Sequence, residues 1–409
     1  MKTMYETRFL KGYIEQIRGV SYKKNQVSEV PKKGYIPLIR ATNIQNGELV
    51  YEDLIYVEES IVKEEQKIQL NDIIIAASSG SKHIVGKAAQ AKESKLCTFG
   101  AFCKLIRPKI NEIDPLFLNY FFKTNYYSRT ISESVNGANI NNIRNEHIDN
   151  LVIPIPSINN QRRIGKTLKL AESLINKRKA QIAALSSLAQ SVFLEMFGEP
   201  SSNKHNFEKI KLSDAIISLE AGLSTGGENK IKKNNELGVL TTSAVTYGIF
   251  NPNAYKVLNK KIDKEKKLIH PTKYSILVSR MNTKDLVGAS CIVEEDYYDL
   301  FIPDRLWKII LNLNIVNPYY FINAIQQKYF RAKLSKEATG TSGSMLNISQ
   351  QKFKNMEILL PSIDQQNKFS DILNKISKSK LKIQRSLLQL ETNFNSLLHR
   401  AFKGELFND

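Results

Sequence analysis

Cysteine is scarce: Cys97, Cys103 and Cys291 are the whole supply, and no two of them form a C-x-x-C pair. So sparse and odd a set excludes a disulfide framework and a thiolate zinc site, and fits a reducing cytoplasm. Histidine is nearly as thin, and His83, His147, His205, His270 and His399 show no metal-ligand spacing. Long apolar runs are missing. Residues 73–77 and 151–156 are among the longest, far short of a bilayer span. Residues 1–19 carry charges throughout, without the apolar stretch of a signal peptide. No membrane is expected as a partner. Acidic residues are outnumbered, with 40 Asp and Glu against 59 Lys and Arg, for a net charge of +19. That surplus attracts polyanions, of which nucleic acid is the commonest. The chain has 409 residues, 42% of them hydrophobic, too many for one ordinary core and enough for two or three.

What the chain does contain is an internal repeat. Pro156-Ser157-Ile158 recurs as Pro361-Ser362-Ile363, 205 residues on. Each triplet follows an apolar, strand-like run and precedes a glutamine, Gln161 or Gln366. Asn142-Ile143 pairs with Asn347-Ile348 at the same offset, Val85-Gly86 with Val287-Gly288 at 202, and Gly47 with Gly248 at 201. A slow drift in offset is what small loop insertions leave in a duplication, and the length of the period means duplicated domains, not a solenoid.

After each triplet comes an apolar stripe at heptad spacing. The first reads Ile164, Leu168, Ala171, Ile175, Arg178, Ile182, Leu185, Ala189, Val192 and Met196. Adding the offset gives Phe369, Leu373, Ile376, Lys380, Ile383, Leu387, Leu390, Phe394, Leu397 and Ala401. Nine of ten are apolar in each copy, the signature of a coiled-coil seam. Ser362-x-x-Gln365 reads as a capping box and Ser157-x-x-Asn160 as a weaker one. Gly198 and Pro200 end the first helix. The two helices are expected to pair antiparallel, because a parallel pair would need a connection running back along the full rod. Arg178 and Lys380, near the middle, are expected to lay their stems on the stripe and keep their charges in water.

The expected class is α+β, with mixed α/β heads at opposite ends of an intramolecular antiparallel two-helix coiled coil, related by a pseudo-twofold axis. The expected boundaries are a head at 1–156, a helix at 157–198, a second head at 199–360 and a second helix at 361–409. Strands are read at 35–40, 72–76, 102–106 and 151–155, and at 239–242, 275–278, 307–311 and 356–360. A helix should follow Asp114-Pro115 and Asn317-Pro318. Its aromatics, such as Phe117, Tyr120, Phe121, Tyr320 and Phe321, are read as core before base-stacking surface.

Two polar loops recur at matching places. Lys82 and His83 lie in the loop after the second strand of the first head, and Arg280, Asn282 and Lys284 in its counterpart. Asn139, Asn141 and Arg144 precede the last strand, as do Thr341 and Ser344 in the second head. Small residues with such donors bind phosphates and read base edges. Catalytic signatures fail one by one. Residues 80–87 approximate a phosphate-binding loop, but carry one residue too many between the glycines and place Ala88 where a hydroxyl is needed. Asn317-Pro318-Tyr319-Tyr320 approximates an adenine methyltransferase motif, but its third residue is wrong and no glycine-rich loop precedes it. Short Glu-x-Lys strings such as Glu65-Gln66-Lys67 have no match in the other half, and no G-x-S-x-G occurs. Candidate catalytic and metal-ligating residues: none.

The order head–helix–head–helix resembles the specificity subunit of bacterial type I restriction–modification enzymes. The resemblance rests on Ile-Pro-Ser-Ile-x-x-Gln-x-x-Ile at 155–164 and Leu-Pro-Ser-Ile-x-x-Gln-x-x-Phe at 360–369. It rests also on Ala401-Phe402-Lys403-Gly404-Glu405-Leu406, echoed by Met196-Phe197-Gly198-Glu199. Family members often carry a second proline where Ser157 and Ser362 stand. The resemblance implies that each head reads one half of a split, asymmetric double-stranded DNA target. It implies that the helices set the spacer and hold two methyltransferase subunits, which carry S-adenosylmethionine, and restriction subunits, which carry ATP- and Mg-dependent translocation. This chain would then bind no cofactor of its own. The competing readings are a stand-alone methyltransferase or nuclease, and a coiled-coil adaptor that does not read DNA.

Overall fold

The computed structural model describes residues 4–81, 84–135, 142–233, 235–258, 267–340 and 345–407. The chain forms two compact units, Met1–Ala180 with Gln384–Asp409, and Gln181–Ile383. Each contains a head and segments of both long helices.

The first unit is built on an antiparallel sheet in the order Ile14–Arg18, Cys103–Pro108, Ile73–Ala76, Ala88–Gln90. Ile73–Ala76 is buried on both faces because alternate side chains enter different cores. Ile73 and Ile75 pack with the helices, and Ile74 and Ala76 with a second small sheet. In that sheet Tyr35–Ile39 runs parallel to Thr98–Phe99 and antiparallel to Ile55–Glu58. Thr7–Phe9 pairs with Val152–Pro154 at the entry to the central helix.

The second unit repeats this frame. Ile216–Ala221, Leu306–Leu311, Ile276–Ser279 and Ser290–Ile292 form the same antiparallel order. Ile276 and Val278 enter one core and Leu277 the other. Gly238–Leu240 lies parallel to Leu300–Phe301, and Glu208–Lys211 pairs with Glu357–Leu360. One backbone contact explains a glycine in each copy. A Cβ on Gly19 would stand 2.1 Å from the Gly100 carbonyl oxygen, and one on Gly222 would stand 1.9 Å from that of Ile302.

Asp114 and Asn317 cap the helices Pro115–Phe121 and Pro318–Gln326, each accepting from backbone N–H groups of the first turn. Phe117, Tyr120, Phe121, Tyr320 and Phe321 are at most 1% exposed, as core residues should be. The segment resembling a phosphate-binding loop leads into the strand Ala88–Gln90, where such a loop requires a helix.

The long helices span Ile158–Phe197 and Ile363–Lys403, each about 60 Å at ~1.5 Å per residue. Both start ahead of the first seam residue, and Ser362 with Gln365 forms the expected capping box. Gly198 and Gly404 end them at φ +72° and +82°, the left-handed conformation that glycine adopts without strain. Every seam position is buried or half-buried. In the first unit Arg163 covers the Phe407 ring at 4.1 Å and Lys179 meets Glu391 at 3.0 Å. In the second, Lys380 donates to Ser186 at 2.9 Å and Phe193 meets Phe369 with ring centroids 5.6 Å apart. Within each unit the partners run in opposite chain directions. Lys380 is half-buried on the stripe, and its ammonium meets that hydroxyl at an exposed position.

Although its apolar runs are short, the central helix is long and apolar enough, by length and composition alone, to cross a membrane. Two of its apolar residues, Phe193 and Phe197, are packed inside the second unit, 2% and 1% exposed against Tyr320.

Gln161 and Gln366, picked out by the repeat, prove to be matched clamps. Gln161 accepts from the Asp114 N–H at 2.8 Å and donates to the Pro156 carbonyl at 3.0 Å. Gln366 accepts from the Asn317 N–H at 2.8 Å and donates to the Pro361 carbonyl at 2.9 Å. Each buried amide joins the start of a long helix to the cap of a head helix.

Candidate nucleic-acid interface

Both loop classes leave from one place in each unit. In the second unit the strand Ile276–Ser279 runs on into Arg280, whose carbonyl accepts from the Ile348 N–H at 3.0 Å. Met281–Asn282 then pairs antiparallel with Leu346–Asn347, and Thr339 closes on Asn347 with two 2.9 Å hydrogen bonds. In the first unit Ile143 N–H donates to the Ala77 carbonyl at 2.8 Å and Ser78 bridges Asn142. Segments that the sequence left far apart are therefore stitched together by backbone hydrogen bonds, twice, in the same pattern.

The candidate side chains divide accordingly. Arg280 is half-buried, and its Nε donates to the Asp304 carbonyl at 2.6 Å, so its fork is aimed by the neighbouring turn. Asn282 accepts from the Thr283 N–H at 2.9 Å. Lys284 is exposed, and its carbonyl is held by the Ser335 hydroxyl. Arg144 is exposed, 3.7 Å from Glu146, at the N-terminus of the short helix Asn145–Asp149. Lys82, His83, Asn139, Asn141, Thr341 and Ser344 lie outside the described residues.

Three features were missed in the sequence. A third segment, a four-residue turn, joins the two loops. In the first unit it is closed by Cys103 N–H on the Gly100 carbonyl at 2.8 Å; in the second, by Leu306 N–H on the Pro303 carbonyl at 3.0 Å. Phe102, read as the start of a strand, is at the tip of the first turn and 70% exposed. Its position in the second is held by Arg305, also exposed. Second, a cleft of about 580 Å³ opens beside Phe102, lined by Tyr22, Arg40, Thr42, Ser79 and Gly80 among others. Arg40 donates to the Asp53 carbonyl at 2.8 Å, while its buried Nε has no hydrogen-bond partner. Third, Arg331, on the helix Lys328–Glu337, donates to the Asp285 carbonyl at 3.0 Å behind the Lys284 loop. Burial pushes its pKa below the ordinary arginine value and leaves its Nη1 unpaired. Pro303-Asp304 is a turn signal in the second head, and the duplication carries it to the first by setting Phe102 against Arg305 at an offset of 203. Among the described residues no three His, Cys, Asp or Glu side chains gather as a metal site needs.

The model of the family described as type I restriction modification DNA specificity domain matches twice, over residues 3–184 and 204–392. The EcoKI specificity subunit of Escherichia coli (strain K12) is 30% identical over 95% of this chain and 86% of its own length. The StySPI specificity subunit of Salmonella potsdam matches with the same identity and coverage. Among solved structures, the type I restriction–modification S subunit from M. genitalium aligns over 98% of this chain and 96% of its own, with a TM-score of 0.56 at 14% identity.

Proposed function

The chain belongs to the type I restriction–modification DNA specificity family, and from that premise we propose that each of its two heads reads one half of a split, asymmetric double-stranded DNA target. The observation that carries this is the matched stitching of two polar loops and a turn onto one sheet in each unit, with unlike side chains on the two copies. A shared frame fixes where the reading groups stand; different groups give different half-sites. The charge of +19 supplies the sequence-independent attraction, which should weaken steeply as salt rises.

The heads are taken as residues 1–156 and 199–360, and the helices 157–198 and 361–409 as an antiparallel coiled coil that sets the unread spacer. Helices of about 60 Å are long enough to serve half-sites one DNA turn apart, ~34–36 Å. Two methyltransferase subunits and restriction subunits would dock on this chain in the cytoplasm and supply S-adenosylmethionine, ATP and Mg chemistry. The chain's own part is then recognition, through Arg144, Arg280, Asn282 and Lys284 and the loops that carry Lys82, His83, Asn139, Asn141, Thr341 and Ser344. The test replaces residues 199–360 with the second head of a relative and maps methylation by long-read sequencing. One half-site should change and the other persist; a change in both, or in neither, defeats the reading.

A further inference from the structure

The turn at Gly100 and its counterpart at Pro303 carry different chemistry on one scaffold. The Phe102 carbonyl accepts from the N–H groups of Ala77 at 2.8 Å and Ser78 at 3.0 Å, and the Arg305 carbonyl accepts from the Arg280 N–H at 3.0 Å. Ala77 and Arg280 in turn accept from Ile143 and Ile348. The residue at the turn's third position is therefore tied by its own backbone to both loops. Its side chain is left outside. Arg305 makes no ion pair or side-chain hydrogen bond with any described residue, and Phe102 overhangs a cleft that also holds Tyr22 and the half-committed Arg40. A fixed backbone spares the turn the cost of loop ordering on binding, and the uncommitted side chain is left open to a partner.

We propose that this turn position is a specificity-determining contact in each half-site: Arg305 pairs with the N7 and O6 of a guanine, and Phe102 packs on the C5 methyl of a thymine, both in the major groove. The pairing follows from the groups themselves. A guanidinium fork matches the two acceptors of guanine, and an exposed ring beside polar loops matches the apolar major-groove feature of a base pair, the thymine methyl. The inference rests on the reading that the heads recognise DNA.

The experiment uses the full chain together with a type I methyltransferase subunit and a random duplex pool to define the bound motif. Arg305→Ala should weaken binding about 10- to 100-fold and erase the preference for guanine at one position of one half-site. Replacing that guanine by 7-deazaguanine should weaken the wild type but not Arg305→Ala. Phe102→Ala should cost less, about 3- to 10-fold, at a thymine of the other half-site. Replacing that thymine by uracil, which lacks the methyl, should reproduce the loss in the wild type and add nothing to Phe102→Ala. Both side chains are exposed, so neither change should disturb folding. Wild type with a defined motif and variants with the same motif and affinity would overturn this inference alone. Wild type that selects no motif would overturn the DNA-reading function beneath it.

Discussion

The two heads share their sheet order, their capped helices and their glutamine clamps, yet exchange chemistry at many matched positions. Asp72 in the first is 1% exposed and pairs with Arg107 through two hydrogen bonds of 2.9 and 2.8 Å; the second places Ser275 and Ile310 there. Both Asp72 and Ser275 accept a backbone N–H three residues back, from Gln69 and Thr272. Backbone-to-backbone contacts and the side chains that hold them are kept, while what surrounds them is free to vary. The helix Asn125–Val135 carries one internal ion pair, Arg129 with Glu133, whereas Lys328–Glu337 carries Lys328, Arg331, Lys333 and Lys336 against one acid. The heads thus keep a backbone frame and exchange side chains upon it, inside the sheet at Asp72 as well as on the exposed helix face.

The sharpest way to break this comparison is at Asp72. Asp72→Ala strands a mostly buried guanidinium and should destabilise the first unit by about 3 kcal/mol, whereas Ser275→Ala loses one hydroxyl and should cost ~1 kcal/mol. Thiol labelling in urea separates the units. Burial raises the pKa of Cys97 to about 11 and of Cys103 and Cys291 to about 12. These thiols should stay unreactive until their own unit opens. Asp72→Ala should move labelling of Cys97 and Cys103 to lower urea more than that of Cys291; equal shifts would mean that the heads do not respond separately.

The glutamines sharpen the likeness. Gln161→Leu and Gln366→Leu each leave a buried backbone N–H unpaired and should each cost about 2 kcal/mol in urea titrations. A neutral result at one of them would show that the frame is not common to both heads.

The smallest effect concerns acid. A hydrogen bond from Lys232 holds the Asp299 carboxyl below its ordinary range, in the second head only, since Leu96 occupies the matched place in the first. A lowered carboxylate contributes stability above its unfolded pKa and loses it as pH falls through the native value. Lys232→Met should therefore flatten the acid-side loss of stability in the second unit, read as urea midpoints between about pH 6 and about pH 3. An unchanged slope would remove this ion pair from the account.

Local pattern carried much of this fold. The seam from Ile164 and its repeat from Phe369, the capped helices at Asp114 and Asn317, and four strands in each head were legible because each signal lies within a few residues. The sheet order was not. Ile14–Arg18 joins Cys103–Pro108 across most of a domain, and its alternation is broken by Glu15 and Arg18. Phe193 and Phe197 escaped because they lie off the heptad seam and pack on a head instead of the facing helix. The loops were found by composition. The turn that unites them was not: Gly100-Ala101-Phe102-Cys103 holds no polar residue to mark it, and the Pro303-Asp304 turn signal of the second head has no counterpart there.

The first unit is closed by the chain's last helix. Phe402 stacks on Phe117 with ring centroids 4.8 Å apart, and Met4 N–H donates to the Lys403 carbonyl at 2.9 Å. The second unit, by contrast, is one unbroken stretch, Gln181–Ile383. On the ribosome, the unit begun first must wait for the far part of the second long helix, whereas residues 181–383 are all made before it is complete. A chaperone on the nascent chain would therefore meet, until Phe402 arrives, an unfilled aromatic socket around Phe117.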